Sequence, residues 1–159
     1  MAQRIYLLLS AVLMIIVSCS DLACYIAKED GLMYILDCTK LYIAEGGAVV
    51  SRAPWALMAL AVLVTVVSFF NLFLVFFQNY ALQKRLSLFN LLLVVGFMIT
   101  YVGFLFYYKS LLEAIDCTPT LWAVAVPAIV AILQAMTFLA VRKKEADVLA
   151  KASNFRLRD

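Results

Sequence analysis

The chain has 159 residues, of which 67% are hydrophobic and 14% charged, and its net charge is +3. Soluble domains carry about 45–50% apolar and about 25% charged residues, so this composition excludes an ordinary soluble domain. The sequence contains no His and no C-x-x-C pair among its four Cys, which argues against histidine-based catalysis, zinc sites and redox motifs.

The first apolar segment covers about residues 5–27 and begins IYLLLSAVLMIIV. Arg4 precedes it, as a basic residue precedes the apolar run of a cleaved signal peptide. The run is long, however, and SCSDLACY is a weak cleavage site. The sequence therefore favours a retained first transmembrane helix.

The longest connection, residues 28–53, contains apolar stretches that are rich in β-branched and aromatic residues. This composition is compatible with a short hairpin or with a segment that lies at the membrane interface. Gly46 and Gly47 then break any regular element.

The centre of the chain is a pair of long apolar segments joined by a short basic turn. No charged residue occurs between Arg52 and Lys84, or between Arg85 and Lys109. Each run is long enough to cross a hydrocarbon core of roughly 30 Å, which needs about 20 residues of helix.

These segments predict an all-α fold in a single membrane domain, 1–159, that forms a bundle of four transmembrane helices. The predicted spans are about 5–27, 54–77, 86–108 and 121–141, and a polar, basic tail follows at 142–159.

The distribution of Lys and Arg predicts the orientation of this bundle. Nine of them flank one side: Arg4, Lys84, Arg85, Arg142, Lys143, Lys144, Lys151, Arg156 and Arg158. Four flank the other side: Lys28, Lys40, Arg52 and Lys109. Because cytoplasmic loops carry an excess of basic residues, both termini are predicted to be cytoplasmic and the two longer connections to face outward.

Asp21 is the only acidic residue that falls within a predicted span, where it shares a helical face with Ser18 and Tyr25. An ionisable group inside a membrane indicates a proton or cation relay by default. Asp21 also lies close to the outer end of its span and lacks a charged partner, which favours an interfacial or structural position.

Polar residues and small residues recur along the other spans. The uncharged polar ones are Thr65, Ser68, Asn71, Asn90, Thr100, Gln134 and Thr137. They are interpreted as interhelical hydrogen-bonding groups in preference to a polar pathway. Two faces of small residues predict close helix packing, within the bundle or with a partner: Gly96, Thr100 and Gly103 on the third span, and Ala128, Ala131 and Ala135 on the fourth.

Cys38 and Cys117 fall in the two outward connections. In an oxidising compartment this is the pairing that the topology permits most easily, so a disulfide between them is predicted, with two free thiols as the alternative.

The basic side supplies a set of candidate contacts for a cytoplasmic partner or for lipid. These are Gln83, Lys84, Arg85, Arg142, Lys143, Lys144, Lys151, Arg156 and Arg158. In the tail, apolar residues at helical spacing predict an amphipathic helix that lies on the anionic leaflet or docks on a partner, although basic flanks also serve as a plain orientation signal. So short a patch beside a membrane does not indicate nucleic-acid binding.

Three stretches carry a family resemblance. The start MAQRIYLLLSA is similar to an opening of the form M-x-QRI…YLLL, and the end RKKEADVLAKASNFRLRD to RKDE…LVRS…DRLR, with Lys144 and Phe155 at positions of Asp. The turn QNYALQKRLSLFN resembles K-N-x-x-LQ-x-RL-x-x-x-N, matching at Asn79, Leu82, Gln83, Arg85, Leu86 and Asn90. These patterns resemble an uncharacterised family of Bacteroidota membrane proteins, domain of unknown function 4293. The resemblance implies four helices in an inner membrane and implies no activity.

Three classes of function follow. The sequence shows no nucleophile–base pair, metal cluster or phosphate-binding loop, so an enzyme is the weakest and no cofactor is expected. A small oligomeric transporter or channel would use Asp21 and the polar faces of the bundle. A non-catalytic accessory or scaffold subunit, with a membrane-protein partner or a second copy of itself, needs only the small-residue faces and the basic side. The sequence favours this last class.

Overall fold

The computed structural model describes residues 2–77 and 79–156. Within them lie four helices: α1 (Ala2–Ser18), α2 (Trp55–Leu74), α3 (Tyr80–Leu111) and α4 (Leu121–Arg156). Five strands accompany them: β1 (Ala23–Ile26), β2 (Met33–Leu36), β3 (Leu41–Ile43), β4 (Val49–Ser51) and β5 (Asp116–Pro119).

Three of the helices are long and apolar enough to cross a membrane: Trp55–Leu74, Tyr80–Leu111 and Leu121–Ala150. They cover most of the second span and all of the third and fourth predicted from the sequence, and they indicate a membrane protein. The first helix is also apolar, but it has only 17 residues.

The first predicted span, 5–27, is wrong at its C-terminal end, because α1 stops at Ser18. The hydroxyl of Ser18 donates to the carbonyl of Met14 at 2.8 Å, and that of Ser20 donates to Val17 at 3.0 Å. Ser and Asp side chains compete in this way with helical backbone bonds, so they favour turns. After this turn the apolar run continues as strand β1, with Ala23 and Tyr25 facing inward.

The fold is not all-α, because the two longer connections and the end of the first predicted span together form a five-stranded sheet in the order β4-β3-β2-β1-β5. All neighbouring strands are antiparallel. Strand β5 comes from the second connection and pairs with β1, setting Tyr25 opposite Cys117. Gly46 and Gly47 both have positive φ, which lets the chain reverse between β3 and β4. The short hairpin considered for residues 28–53 is therefore part of a larger sheet.

The fourth helix is longer than predicted and runs through the residues assigned to a separate tail. It continues without interruption from Leu121 to Arg156. The amphipathic tail helix is thus an extension of α4 over the residues that the structure describes.

The helices form a ring in which α1 and α3 each pack against both α2 and α4. The sheet lies at the end where α1 and α3 finish and α2 and α4 begin, and we name this the sheet end. Two tyrosines of α3 connect the sheet to the bundle. The hydroxyl of Tyr101 donates to the carbonyl of Leu22 at 2.9 Å, and the hydroxyl of Tyr108 donates to the hydroxyl of Ser51 at 3.0 Å. The opposite end, which carries the start of α1, the α2–α3 turn and residues 142–145, is named the basic end.

Candidate functional site

One buried polar side chain from each helix meets in the centre of the bundle. These four are Ser10, Ser68, Asn90 and Gln134, all 0% exposed, and we name them the polar layer. The hydroxyl of Ser68 accepts from the amide nitrogen of Asn90 at 2.7 Å and from that of Gln134 at 3.3 Å. Gln134 also donates to Ser10 at 2.8 Å. The layer therefore ties all four helices together through side chains alone.

A second buried pair extends the polar layer along α2 and α3. The amide nitrogen of Asn71 donates to the hydroxyl of Ser87 at 2.7 Å, and both residues are fully buried. The interhelical hydrogen bonds predicted for Ser68, Asn71, Asn90 and Gln134 are thus confirmed. The hydroxyls of Thr65, Thr100 and Thr137 instead donate to carbonyls of their own helices.

The amide side chains of this region form hydrogen bonds only through their nitrogen atoms. Their nitrogens donate, but the oxygens of Asn71, Asn90 and Gln134 have no hydrogen-bond partner within residues 2–77 and 79–156. A buried acceptor without a donor costs about 1–3 kcal/mol. Two of these oxygens, those of Asn90 and Gln134, belong to the polar layer and make it a candidate binding site.

Sequence reasoning missed two members of this network, Ser10 and Ser87. The signal was present as helical spacing: Gln83, Ser87 and Asn90 lie at i, i+4 and i+7, on one face of α3. On α1, Gln3 and Ser10 lie at i and i+7, again on one helical face.

At the basic end, three segments of the chain converge on Gln3 and Gln83, which are both buried. Gln3 donates to the side-chain oxygen of Gln83 at 3.0 Å, and Gln83 donates to the carbonyl of Leu74 at the end of α2 at 2.8 Å. Lys144 of α4 donates to the side-chain oxygen of Gln3 at 3.1 Å. The three motifs of the family resemblance thus supply one hydrogen-bonded cluster.

An ion pair lies beside this cluster. Lys84 and Glu145 are 2.7 Å apart, with side chains 37% and 29% exposed. The guanidinium of Arg4 lies 4.6 Å from the centre of the Phe76 ring. Solvent screens such a half-exposed pair, so it contributes only about 0.2–1 kcal/mol.

The residues predicted to contact a cytoplasmic partner or lipid divide into two groups. Gln83 is buried and Lys84 is paired, so both hold the bundle together. The other side chains that the structure describes, those of Arg85, Arg142, Lys143 and Lys144, are exposed. Arg158 lies outside the described residues, and Lys151 and Arg156 are described only as backbone of α4.

The three residues predicted to form an intramembrane polar site, Asp21, Ser18 and Tyr25, do not lie together on one helix. Asp21 is exposed in the turn after α1, where its carboxylate accepts from the hydroxyl of Tyr42 at 3.3 Å. Ser18 ends α1, whereas Tyr25 lies in β1 beneath the sheet and is 0% exposed. Burial, with a smaller contribution from neighbouring Cys117, raises the pKa of Tyr25, so this hydroxyl stays protonated.

All four cysteines, which lie within the described part of the chain, are free thiols. The predicted bridge between Cys38 and Cys117 is not formed, because Cys38 follows β2 whereas Cys117 lies in β5, on the far side of β1. The thiol of Cys38 is buried and donates to the carbonyl of Val17 at 3.7 Å. Burial, and then the charge of Asp37, raises the pKa of Cys38 to about 12, so the reactive thiolate does not form near neutral pH.

The small-residue face of α3 is open. A Cβ built on Gly96 or Gly103 meets nothing within 4 Å among the described residues. Beside this face lies a groove of about 360 Å³, lined by Ala53, Thr100, Gly103, Phe104 and Tyr107. On α4, Ala131 packs against the core, Ala135 is half-buried and Ala128 is exposed. The two predicted faces therefore differ, because that of α4 is partly used inside the bundle and that of α3 is not.

Comparison with curated proteins finds no match. The family model described as Domain of unknown function (DUF4293) matches residues 2–154. The match covers the sheet, the polar layer, the cluster around Gln3 and Gln83, and the helices except the last two residues of α4. The chain therefore belongs to the DUF4293 family.

Proposed function

We propose that this protein is a non-catalytic accessory or scaffold subunit of an assembly in a bacterial inner membrane, possessing no cofactor. The three long apolar helices support the membrane location. Nine of the 13 Lys and Arg residues belong to the basic end or to residues 146–159, which follow it in the sequence, and this bias supports a cytoplasmic position for both termini and an outward position for the sheet. Bacteroidota as the source rests on the sequence patterns described above.

The open face of α3 carries this proposal. Small residues on a membrane helix allow the backbone of another helix to approach closely, and such faces recur at helix–helix interfaces. The chain's own helices leave Gly96 and Gly103 uncovered, and the adjoining groove is almost entirely apolar. A transmembrane helix of a partner subunit, or of a second copy, fits this combination of small residues and apolar lining.

The geometry supports transport through Asp21 less than it supports an accessory or scaffold role. Asp21 lies in an exposed turn outside the helices and bonds to the sheet through Tyr42. The polar side chains of the bundle centre are uncharged, and they bond to one another between helices. We expect Asp21→Asn to leave assembly unchanged, whereas a relay through this carboxylate would be abolished.

The test compares complexes extracted from native membranes in mild detergent. We expect Gly103→Leu, and Gly96→Leu independently, to fill the face and weaken association at least about tenfold, which corresponds to about 1.4 kcal/mol. Val102→Phe is the control, because Val102 is exposed on another side of α3 and the change also adds bulk. Native mass measurement and cross-linking provide the readout.

Two results would contradict the proposal. One is a wild-type protein that leaves the membrane consistently as a single chain. The other is an equal loss of association in Val102→Phe and in the glycine variants, since the open face would then have no particular role.

A further inference from the structure

We propose that the polar layer binds one small ligand that satisfies its amide oxygens, either a monovalent cation such as Na⁺ or K⁺ or a single water molecule. The shared chemistry is a centre of positive charge or a hydrogen-bond donor placed between helices. This inference concerns the interior of the bundle and does not rest on the proposed accessory function.

The unpaired oxygens are the first ground for this ligand. Asn90 and Gln134 of the polar layer, and Asn71 one turn further along α2, are all 0% exposed, and their side-chain oxygens lack a partner among the described residues. In a helix bundle that is surrounded by lipid, bulk water does not reach such groups. A ligand held inside the bundle would supply the missing donor.

The fixed position of the amides is the second ground. Asn90 and Gln134 donate to the same hydroxyl, that of Ser68, and Gln134 also donates to Ser10. Their nitrogen ends are thereby directed at these two hydroxyls, and their oxygen ends point elsewhere in the bundle. Because the two amide nitrogens share one acceptor, the two side chains approach the same point from α3 and α4.

The chemistry of the ligands favours a monovalent ion or water over a multivalent metal. All donor atoms are neutral oxygens of Asn, Gln and Ser, which suit hard cations. Calcium and magnesium sites in proteins use carboxylates, and the polar layer has none. Across the part of the chain that the structure describes, no group of three or more His, Cys, Asp or Glu residues is placed to hold a metal. Sodium sites between membrane helices likewise use uncharged oxygens, there those of backbone carbonyls.

The experiment measures thermal unfolding of the purified full chain in detergent. NaCl, KCl and choline chloride are titrated at constant ionic strength, so that general screening is equal in all three. A bound cation should raise the unfolding midpoint by roughly 2–6 °C in Na⁺ or K⁺ relative to choline, and the rise should saturate.

Substitutions test whether the cation raises the unfolding midpoint by binding at the polar layer. Asn90→Leu and Gln134→Leu should abolish the difference between the alkali cation and choline, and Asn71→Ala serves as a milder third variant if these fail to fold. Thr137→Val is the matched control: Thr137 is buried on α4 like Gln134 but bonds only to its own helix, at Leu133. It should retain the full difference.

The alternative ligand, a single water molecule, is tested with an experimental density map that resolves ordered solvent. If the midpoint does not depend on the cation, a density peak within hydrogen-bond distance of at least two of the three amide oxygens supports a bound water. A midpoint that is indifferent to the cation, together with no density peak beside these oxygens, would overturn the proposal. A cation effect that survives in Asn90→Leu and Gln134→Leu would overturn it as well.

Discussion

The sheet end and the basic end of the molecule are held together by different kinds of interaction. At the sheet end, strands from both connections pair through their backbones, and the side chains beneath them form a fully buried apolar cluster that includes Leu22, Leu36 and Leu41. At the basic end, two glutamines and one ion pair join α1, α3 and α4.

This difference indicates which end of the bundle opens more easily. Charge screening does not weaken backbone pairing or apolar burial, and their loss requires the sheet to unfold as a unit. A cluster of a few side-chain contacts opens locally, and its ionic part weakens as salt screens the charges. We therefore expect the sheet end to be rigid and the basic end to be the adjustable part.

The largest expected effect is at the sheet end. Leu36→Ala removes a fully buried side chain under β2 and should lower the free energy of unfolding by about 2–5 kcal/mol. The control is Met33→Ala in the same strand, where the side chain is 46% exposed and a much smaller loss is expected. Denaturant titration in detergent provides the measurement. Equal losses in the two variants would show that the sheet does not pack on the bundle in solution.

The sequence was sufficient to predict the part of the fold that depends on composition. An uncharged run of about 20 apolar residues can avoid exposing its backbone in lipid only as a helix or in a closed barrel, so α2 and most of α3 and α4 follow from residue types alone. The hydrogen bonds of Ser68 and Asn90 followed in the same way, because a polar group in such a helix needs a partner.

The sheet could not be predicted by the same reasoning. The apolar run LACYIA continues the composition of α1, and only the short segment 19–22 separates the helix from β1. The pairing of β5 with β1 joins segments about 90 residues apart, and no local pattern in either strand specifies that register. The cysteine pairing failed for the same reason, since the distance from Cys38 to Cys117 depends on the strand order.

A smaller effect is expected from Gln83→Leu at the basic end. Gln83 both accepts from Gln3 and donates to the carbonyl of Leu74, so an apolar replacement leaves two buried groups without their partner. We expect a loss of about 1–3 kcal/mol in unfolding free energy. Hydrogen exchange should increase at the ends of α1 and α2 near this cluster and stay unchanged in the strands. The control is Arg85→Gln, an exposed change within the same turn.

The smallest expected effect is that of the ion pair between Lys84 and Glu145. A double-mutant cycle with Lys84→Gln and Glu145→Gln should give a coupling energy of about 0.2–1 kcal/mol at low salt, because both side chains are partly exposed. Raising the ionic strength from roughly 0.01 M to 1 M shortens the screening length from about 30 Å to about 3 Å and should remove most of this coupling. Leu36→Ala, measured in the same two buffers, should show an unchanged loss, because apolar burial does not depend on charge screening. A salt-dependent loss at Leu36 together with a salt-independent coupling at Lys84 would reverse the assignment of the rigid and the adjustable end.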